Sequence, residues 1–139
     1  LLTDKRIVVL SPPLAEKEFG FSLWINKISK LSSELSIPIL HLGDPETHRV
    51  ISDQKKAGSS TFKPFTEWEN PMAFCDQIKE DDLIILISAH VGYISHIPIL
   101  DNLPTKIENR FPNHSLIVIY PKQYLADDLL GTDNFIFTP

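Results

Sequence analysis

The sequence predicts an α/β fold, a doubly wound, mainly parallel sheet of five strands with helices on both faces. Four short runs rich in Ile, Val and Leu lie at residues 7–10, 39–42, 83–87 and 116–119. Runs that are apolar on both faces are typical of parallel strands covered by helices on each side. Longer amphipathic stretches separate these runs, which is the spacing that right-handed βαβ crossovers need.

The first strand is expected over residues 6–11, and Pro12 and Pro13 end it because proline has no N–H for the strand ladder. A helix is predicted over residues 16–35, since apolar residues recur there at intervals of three and four. Those residues are Phe21, Trp24, Ile25, Ile28, Leu31 and Leu35. The second strand is expected over residues 37–42.

The next helix is predicted over residues 45–57; it is polar, with Val50 and Ile51 as its main apolar anchors. Asp44 is a good N-cap and Pro45 suits the first helical position. Gly58 is expected to end this helix. A brief third strand is predicted over residues 61–63, before the next proline.

The second half of the chain continues the alternation. A helix over residues 71–80 begins at a proline in the same way, and the most apolar strand follows at 83–88. A helix is expected over residues 102–111 and a strand over 115–120. A helical turn is expected at 124–130, and the acid pairs of the chain are expected on solvated faces or as caps.

The bulk numbers fit one domain over residues 1–139. Hydrophobic residues make up 42% and charged residues 22% of the chain, as in globular proteins. With 18 acidic and 13 basic residues, the formal charge of -5 predicts neither a nucleic-acid nor an anionic membrane partner. No apolar run approaches the roughly 20 residues that span a bilayer, so no direct membrane insertion is expected.

The ends and the cysteine content add two expectations. Cys75 is the only cysteine, so no intramolecular disulfide is possible and a reducing compartment is favoured. The chain opens at Leu1 rather than Met, and we expect it to be a segment of a longer protein.

Ligands of open α/β sheets bind outside the carboxyl ends of the strands. In this chain those ends fall near residues 11–12, 41–43, 88–93 and 120–121. The candidate ligand-binding residues are therefore Ser11, Pro12, Gly43, Ser88, His90, Gly92 and Tyr93.

Motif searches at this edge favour binding over catalysis. There is no G-x-G-x-x-G or G-x-x-x-x-G-K-[ST] motif. The N–H groups around Gly92 suit an anion, although Gly92 equally suits a turn with positive φ. Ser88 and His90 are the alternative for a hydrolase, but they are two residues apart in a loop and G-x-S-x-G is absent. We expect no catalytic residues.

Metal binding and aromatic stacking were the other possibilities. The five histidines show no ligand spacing, and zinc needs three or four ligands, so no metal is expected. Trp68 lies in a polar connector, where it either packs over the sheet edge or stacks on a ligand.

Over about residues 5–123 the chain resembles a universal stress protein domain of the adenine nucleotide α-hydrolase-like superfamily. The resemblance is carried by the runs at residues 7–10, 38–42, 82–88 and 116–121. More narrowly, the chain resembles the C-terminal cytosolic domain of bacterial monovalent cation:proton antiporters. That likeness rests on residues 93–96, 103–104, 110–112 and 119–123.

The chain departs from the ATP-binding members of the family in two places. They carry an acidic residue after the first strand, where this chain has Ser11, Pro12 and Pro13. They also carry a glycine-rich phosphate loop G-x-x-G-x(9)-G-[ST], of which only the positions of His90, Gly92 and Tyr93 align. We therefore expect no ATP or other adenine nucleotide as a cofactor.

The resemblance implies a non-catalytic regulatory domain of an antiporter on the cytoplasmic face of the inner membrane, with or without a sensed ligand. Its partner would be the membrane-transport domain of the same polypeptide. The alternative is a free-standing nucleotide-binding universal stress protein. A homodimer is also expected, because the strand at 115–120 is predicted to be a sheet edge that pairs readily; otherwise the apolar run at 135–137 covers that edge.

Overall fold

The computed structural model describes residues 3–54 and 60–121 and, for the backbone alone, residues 136–138. In chain order its strands and helices are β1 Arg6–Leu10, α1 Phe21–Leu35, β2 Ile39–Gly43, α2 Pro45–Gln54, β3 Ser60–Pro64, β4 Asp82–Ile87, α3 Leu103–Arg110, β5 Leu116–Tyr120 and β6 Ile136–Thr138. Short 3₁₀ segments cover Ala15–Lys17, Pro71–Gln77 and Pro98–Asp101.

The strands form one sheet in the order β3-β2-β1-β4-β5-β6. The first five of these strands are parallel, and β6 joins β5 in the antiparallel direction. This arrangement confirms the predicted doubly wound α/β fold. The order of connection reverses between β1 and β4, which makes the carboxyl ends of these two strands the switch point where ligands of such sheets bind.

Each face of the sheet has its own apolar core. α1 covers one face with Phe21, Trp24, Ile25 and Ile28, and Val50 and Ile51 of α2 pack against the same cluster. α3 and the 3₁₀ segment Pro71–Gln77 cover the other face, where Phe74, Leu103 and Ile107 are buried. Residues 7–10 of β1 and 83–87 of β4 are buried on both sides of the sheet, which explains why these two runs are apolar throughout.

The helix predicted over residues 16–35 is shorter at its start. Leu14 has a left-handed backbone (φ 68°), Glu18 is extended, and the α-helix begins only at Phe21 after Gly20. Glycine is a poor helix former, and the preceding residues form a loop over the carboxyl edge. The predicted end at Ser36 is confirmed, because Ser36 is a left-handed C-cap with φ 56°.

The helix predicted over residues 71–80 is a 3₁₀ segment that ends at Gln77. Its apolar pattern is real, since Phe74 is fully buried. A 3₁₀ helix advances about 2.0 Å per residue rather than 1.5 Å, so it reaches the start of β4 with fewer residues.

The prediction that the acid pairs are solvated or act as caps is wrong for Asp82. This carboxylate is 2% exposed and accepts two hydrogen bonds from Arg6, at 2.9 and 2.7 Å. Asp82 also accepts a hydrogen bond from the Lys79 N–H at 2.7 Å, in the turn before β4 rather than at the end of a helix. The register places Arg6 opposite Asp82, and this long-range pairing has no signal in the local sequence.

The position of β6 decides whether β5 is an exposed edge strand or is covered by the apolar run at 135–137. Its backbone pairs with β5 through Tyr120↔Ile136, Ile119↔Phe137 and Val118↔Thr138, so β5 is not a free edge. The predicted helix end at Gly58 and the helical turn at 124–130 lie outside the described residues. Among the described residues, no helix is long and apolar enough to cross a membrane.

Candidate functional site

Ser11 and Gly43, two of the predicted site residues, meet at the carboxyl ends of β1 and β2. The Ser11 Oγ and the His41 Nε2 are hydrogen-bonded at 2.7 Å, and both side chains are buried. A Cβ on Gly43 would lie 2.7 Å from the Ser11 Oγ. Glycine is therefore required at position 43 for this contact to form. Pro12, the next residue after Ser11, is also buried. At the start of the loop its carbonyl accepts a hydrogen bond from the Ala15 N–H at 3.2 Å.

His41 is a neutral imidazole in this setting. Burial, and to a lesser extent the nearby charge of His48, lower its pKa from 6.5 to about 3. Its ring packs edge-on against Trp24 and Phe62. With Trp24, it also lines a cavity of about 40 Å³ beneath α1, which is room for little more than a water molecule.

Ser11 and His41 have the spacing of a nucleophile and its base, but a substrate has no access to them. Ser11 is fully buried and His41 is 6% exposed. A reacting carbonyl has to approach within about 3 Å of the nucleophile. The pair is better explained as a buried hydrogen bond that joins the carboxyl ends of β1 and β2.

The other predicted residues lie in the loop after β4 and do not converge. Ser88 is buried, and its N–H bonds to the Ile119 carbonyl at 2.8 Å. The His90 ring is exposed and stacks on Tyr120, with centroids 4.2 Å apart. In the described part of the chain no hydrogen bond joins Ser88 to His90, so the structure does not bring these two residues together as a nucleophile and its base.

Gly92 and Tyr93 form a turn at the tip of the same loop. Gly92 has φ 95°, and nothing lies within 4 Å of the place of its missing Cβ. The Tyr93 N–H bonds to the His90 carbonyl, and the Tyr93 carbonyl accepts the His96 N–H. The glycine is therefore explained by its backbone conformation, which was one of the two possibilities for Gly92.

A carboxylate that the sequence did not single out bridges the switch point. Glu18 is 7% exposed and accepts hydrogen bonds from both the N–H and the hydroxyl of Ser95, which is 3% exposed. Nearby, Glu16 accepts a hydrogen bond from Thr47 of α2 at 2.7 Å. The loop after β1 is thus tied to the loop after β4 on one side and to α2 on the other.

The bridge opposes phosphate binding at this position. Nucleotides bind open sheets where the loops after the central strands separate and offer N–H groups to phosphate. Here the Ser95 N–H already donates to the Glu18 carboxylate. A phosphate approaching the same N–H would meet a like charge, which is unfavourable in a buried site.

An open groove of about 700 Å³ lies further along the carboxyl edge. Residues 66–70, which follow β3, form one wall, and Ile97, Pro98 and Ile99 form the other. The groove contains Trp68, whose ring meets Phe65 edge-on at 5.5 Å. Trp68 packs against the core of the sheet, as one of its two predicted roles required.

Comparisons of the chain with models of protein families, with curated proteins and with solved structures found no match. The class that the fold and the site define is a doubly wound α/β domain with a bridged switch point. Among the described residues, no group of three or more His, Cys, Asp or Glu side chains is placed to hold a metal ion.

Proposed function

We propose that the chain is a non-catalytic regulatory domain of a cation:proton antiporter, on the cytoplasmic face of the inner membrane. It would act through contacts with the membrane-transport domain of the same polypeptide. The antiporter assignment rests on the resemblance of residues 93–96, 103–104, 110–112 and 119–123 to the cytosolic domains of such transporters. Regulation then requires that these contacts differ between two states of the transporter.

The observation that carries the non-catalytic part of the proposal is the Glu18–Ser95 bridge. It occupies the position where an open α/β sheet holds phosphate or substrate. Among the candidate site residues that the structure describes, Ser11 and His41 are buried and Ser88 is separated from His90, so neither pair is an accessible nucleophile with a base beside it. The fold is thus available as a scaffold for binding other proteins.

The alternative is a free-standing universal stress protein that binds a nucleotide. Thermal unfolding with ATP, AMP and cyclic dinucleotides separates it from the regulatory domain. A ligand at 100 times its Kd stabilises the folded state by about 2.7 kcal/mol, which raises the Tm by several degrees. We expect no such rise; a reproducible rise with any one nucleotide supports the stress protein instead.

The antiporter assignment has a direct test in the reading frame upstream of Leu1. We expect it to encode several apolar segments of about 20 residues each, the length that spans a bilayer as a helix. An upstream frame without such segments overturns the assignment.

A homodimer is part of the same proposal, although β5 is paired with β6 and does not supply the interface. Light scattering at several concentrations tests it, and a monomer throughout would contradict it.

A further inference from the structure

The groove between residues 66–70 and 97–99 has an unbalanced negative charge. Glu67 and Glu69 both line it, and both residues are exposed. Among the described residues neither carboxylate takes part in an ion pair, whereas the exposed Glu46 pairs with Arg49 at 2.6 Å. The groove therefore presents two carboxylates that are available to a cation from outside the chain.

The remaining lining of the groove is apolar and aromatic. Ile97, Pro98 and Ile99 face the connector that carries Trp68. The Trp68 Nε1 is buried and has no hydrogen-bond partner among the described residues. An unpaired buried donor is costly, so a partner that brings a hydrogen-bond acceptor to the Trp68 Nε1 would remove this cost. An aromatic face beside carboxylates also suits Lys and Arg side chains, through cation–π contact.

We propose that this groove binds an extended basic peptide segment. Its Lys or Arg side chains would pair with Glu67 and Glu69, its apolar side chains would pack on Ile97 and Ile99, and a backbone carbonyl would accept the Trp68 N–H. The volume of about 700 Å³ is within the range of ordinary ligand sites.

The identity of the protein segment that would occupy the groove rests on the proposed function. Cytoplasmic loops of membrane proteins carry an excess of Lys and Arg close to their membrane-spanning helices. A cytosolic domain with a formal charge of -5 and two unpaired carboxylates in a groove is complementary to such a loop. The occupant is therefore a basic cytoplasmic loop of the transport domain.

The test uses the chain as it stands and a labelled octapeptide of alternating arginine and leucine with blocked ends. Fluorescence anisotropy gives Kd, and the Trp24→Phe variant leaves Trp68 as the only tryptophan, so that its emission reports occupancy of the groove. We expect saturable binding, a change in Trp68 emission, and weaker binding as salt is raised.

The deciding comparison is between two double variants that remove the same charge. Glu67→Gln with Glu69→Gln is expected to raise Kd about two- to thirtyfold, since each exposed ion pair contributes about 0.2–1 kcal/mol. Glu80→Gln with Glu108→Gln removes two exposed carboxylates that do not line the groove, and Kd should be unchanged.

Four results overturn the inference: no binding, equal binding of a peptide with citrulline in place of arginine, equal loss in both double variants, or equal affinity for free arginine amide. The last result would assign a small cationic ligand to the groove. None of these four results depends on the upstream reading frame. Conversely, a reading frame without membrane-spanning segments would not change the measurement of peptide binding. The two proposals therefore fail separately.

Discussion

His41 contributes to the fold only while it is uncharged. It lies at the end of β2, bonded to Ser11 and packed between Trp24 and Phe62. Burial lowers its pKa to about 3, so the folded protein holds a neutral imidazole that the unfolded chain protonates near pH 6.5. The contribution of this group to stability is complete above about pH 6.5 and is lost progressively as the pH falls toward 3.

The His41→Gln variant tests this linkage. Between pH 7 and pH 5 the wild-type protein should lose about 2 kcal/mol of unfolding free energy through His41, because each pH unit within the window corresponds to about 1.4 kcal/mol. Glutamine retains a partner for Ser11 and has no charge to gain, so the pH dependence should be flatter by that amount. Urea unfolding at the two pH values measures it. Equal losses in both proteins would show that His41 is not the group responsible.

The loop between β1 and α1 is an ordered element whose conformation depends on contacts with two other parts of the chain. Glu18 bonds Ser95 in the loop after β4, and Glu16 bonds Thr47 of α2. Between these contacts the backbone passes through the short 3₁₀ segment Ala15–Lys17 and then extends at Glu18. The two glutamates therefore hold the loop across the switch point.

We predict that Ser95→Ala destabilises the protein by about 2 kcal/mol. The hydroxyl donates to a buried carboxylate, and hydrogen bonds to charged groups contribute about 1.5–3 kcal/mol. The backbone N–H at position 95, which also donates to Glu18, should exchange its hydrogen with solvent faster in the variant. Chemical denaturation and hydrogen exchange measure the two effects.

The matched control is Ser22→Ala. Ser22 also donates to a side chain, Gln54, but both partners are exposed, and the change should stay within about 0.5 kcal/mol. If the two serine variants lose the same free energy of unfolding, the Glu18–Ser95 bridge stabilises the fold no more than an exposed hydrogen bond does.

At the scale of the whole molecule, both edge strands of the sheet, β3 and β6, offer little backbone for pairing. β6 covers β5 and is itself the edge strand on that side, but it has only three residues, and short edge strands discourage pairing. At the other edge, β3 is only five residues long and ends in Lys63 and Pro64, and a charge and a proline both discourage pairing with another chain. The sheet is therefore protected against edge-to-edge association.

Removal of residues 122–139 should undo this protection on one side. The N–H and C=O groups of β5 would be exposed, and we expect a higher average mass than that of the full chain at equal concentration. Light scattering after size exclusion measures this mass. Phe137→Pro in the full chain removes one N–H from β6 and should shift the mass in the same direction. If the masses of all three proteins agree at every concentration, β6 does not protect the edge.

The amino-acid sequence alone was enough to predict the five parallel strands and the two-sided helical cover, but not that the apolar run at 135–137 forms an antiparallel sixth strand. The reason is physical: a strand buried on both faces must be apolar at successive residues, as in β1 and β4, and helices show their period locally. Ser11 and Gly43 could also be placed at the carboxyl edge, because strand ends are visible in the sequence. The antiporter assignment remains a prediction.

Only the tertiary structure decided what this edge contains. Ser95 lies 77 residues from Glu18, and His41 lies 30 residues from Ser11, so neither contact leaves a local pattern in the sequence. Ser88 and His90 are neighbours in sequence, yet one is buried and the other stacks on Tyr120. Periodicity reports which face of an element is buried, whereas a site depends on which distant side chains the crossovers bring together.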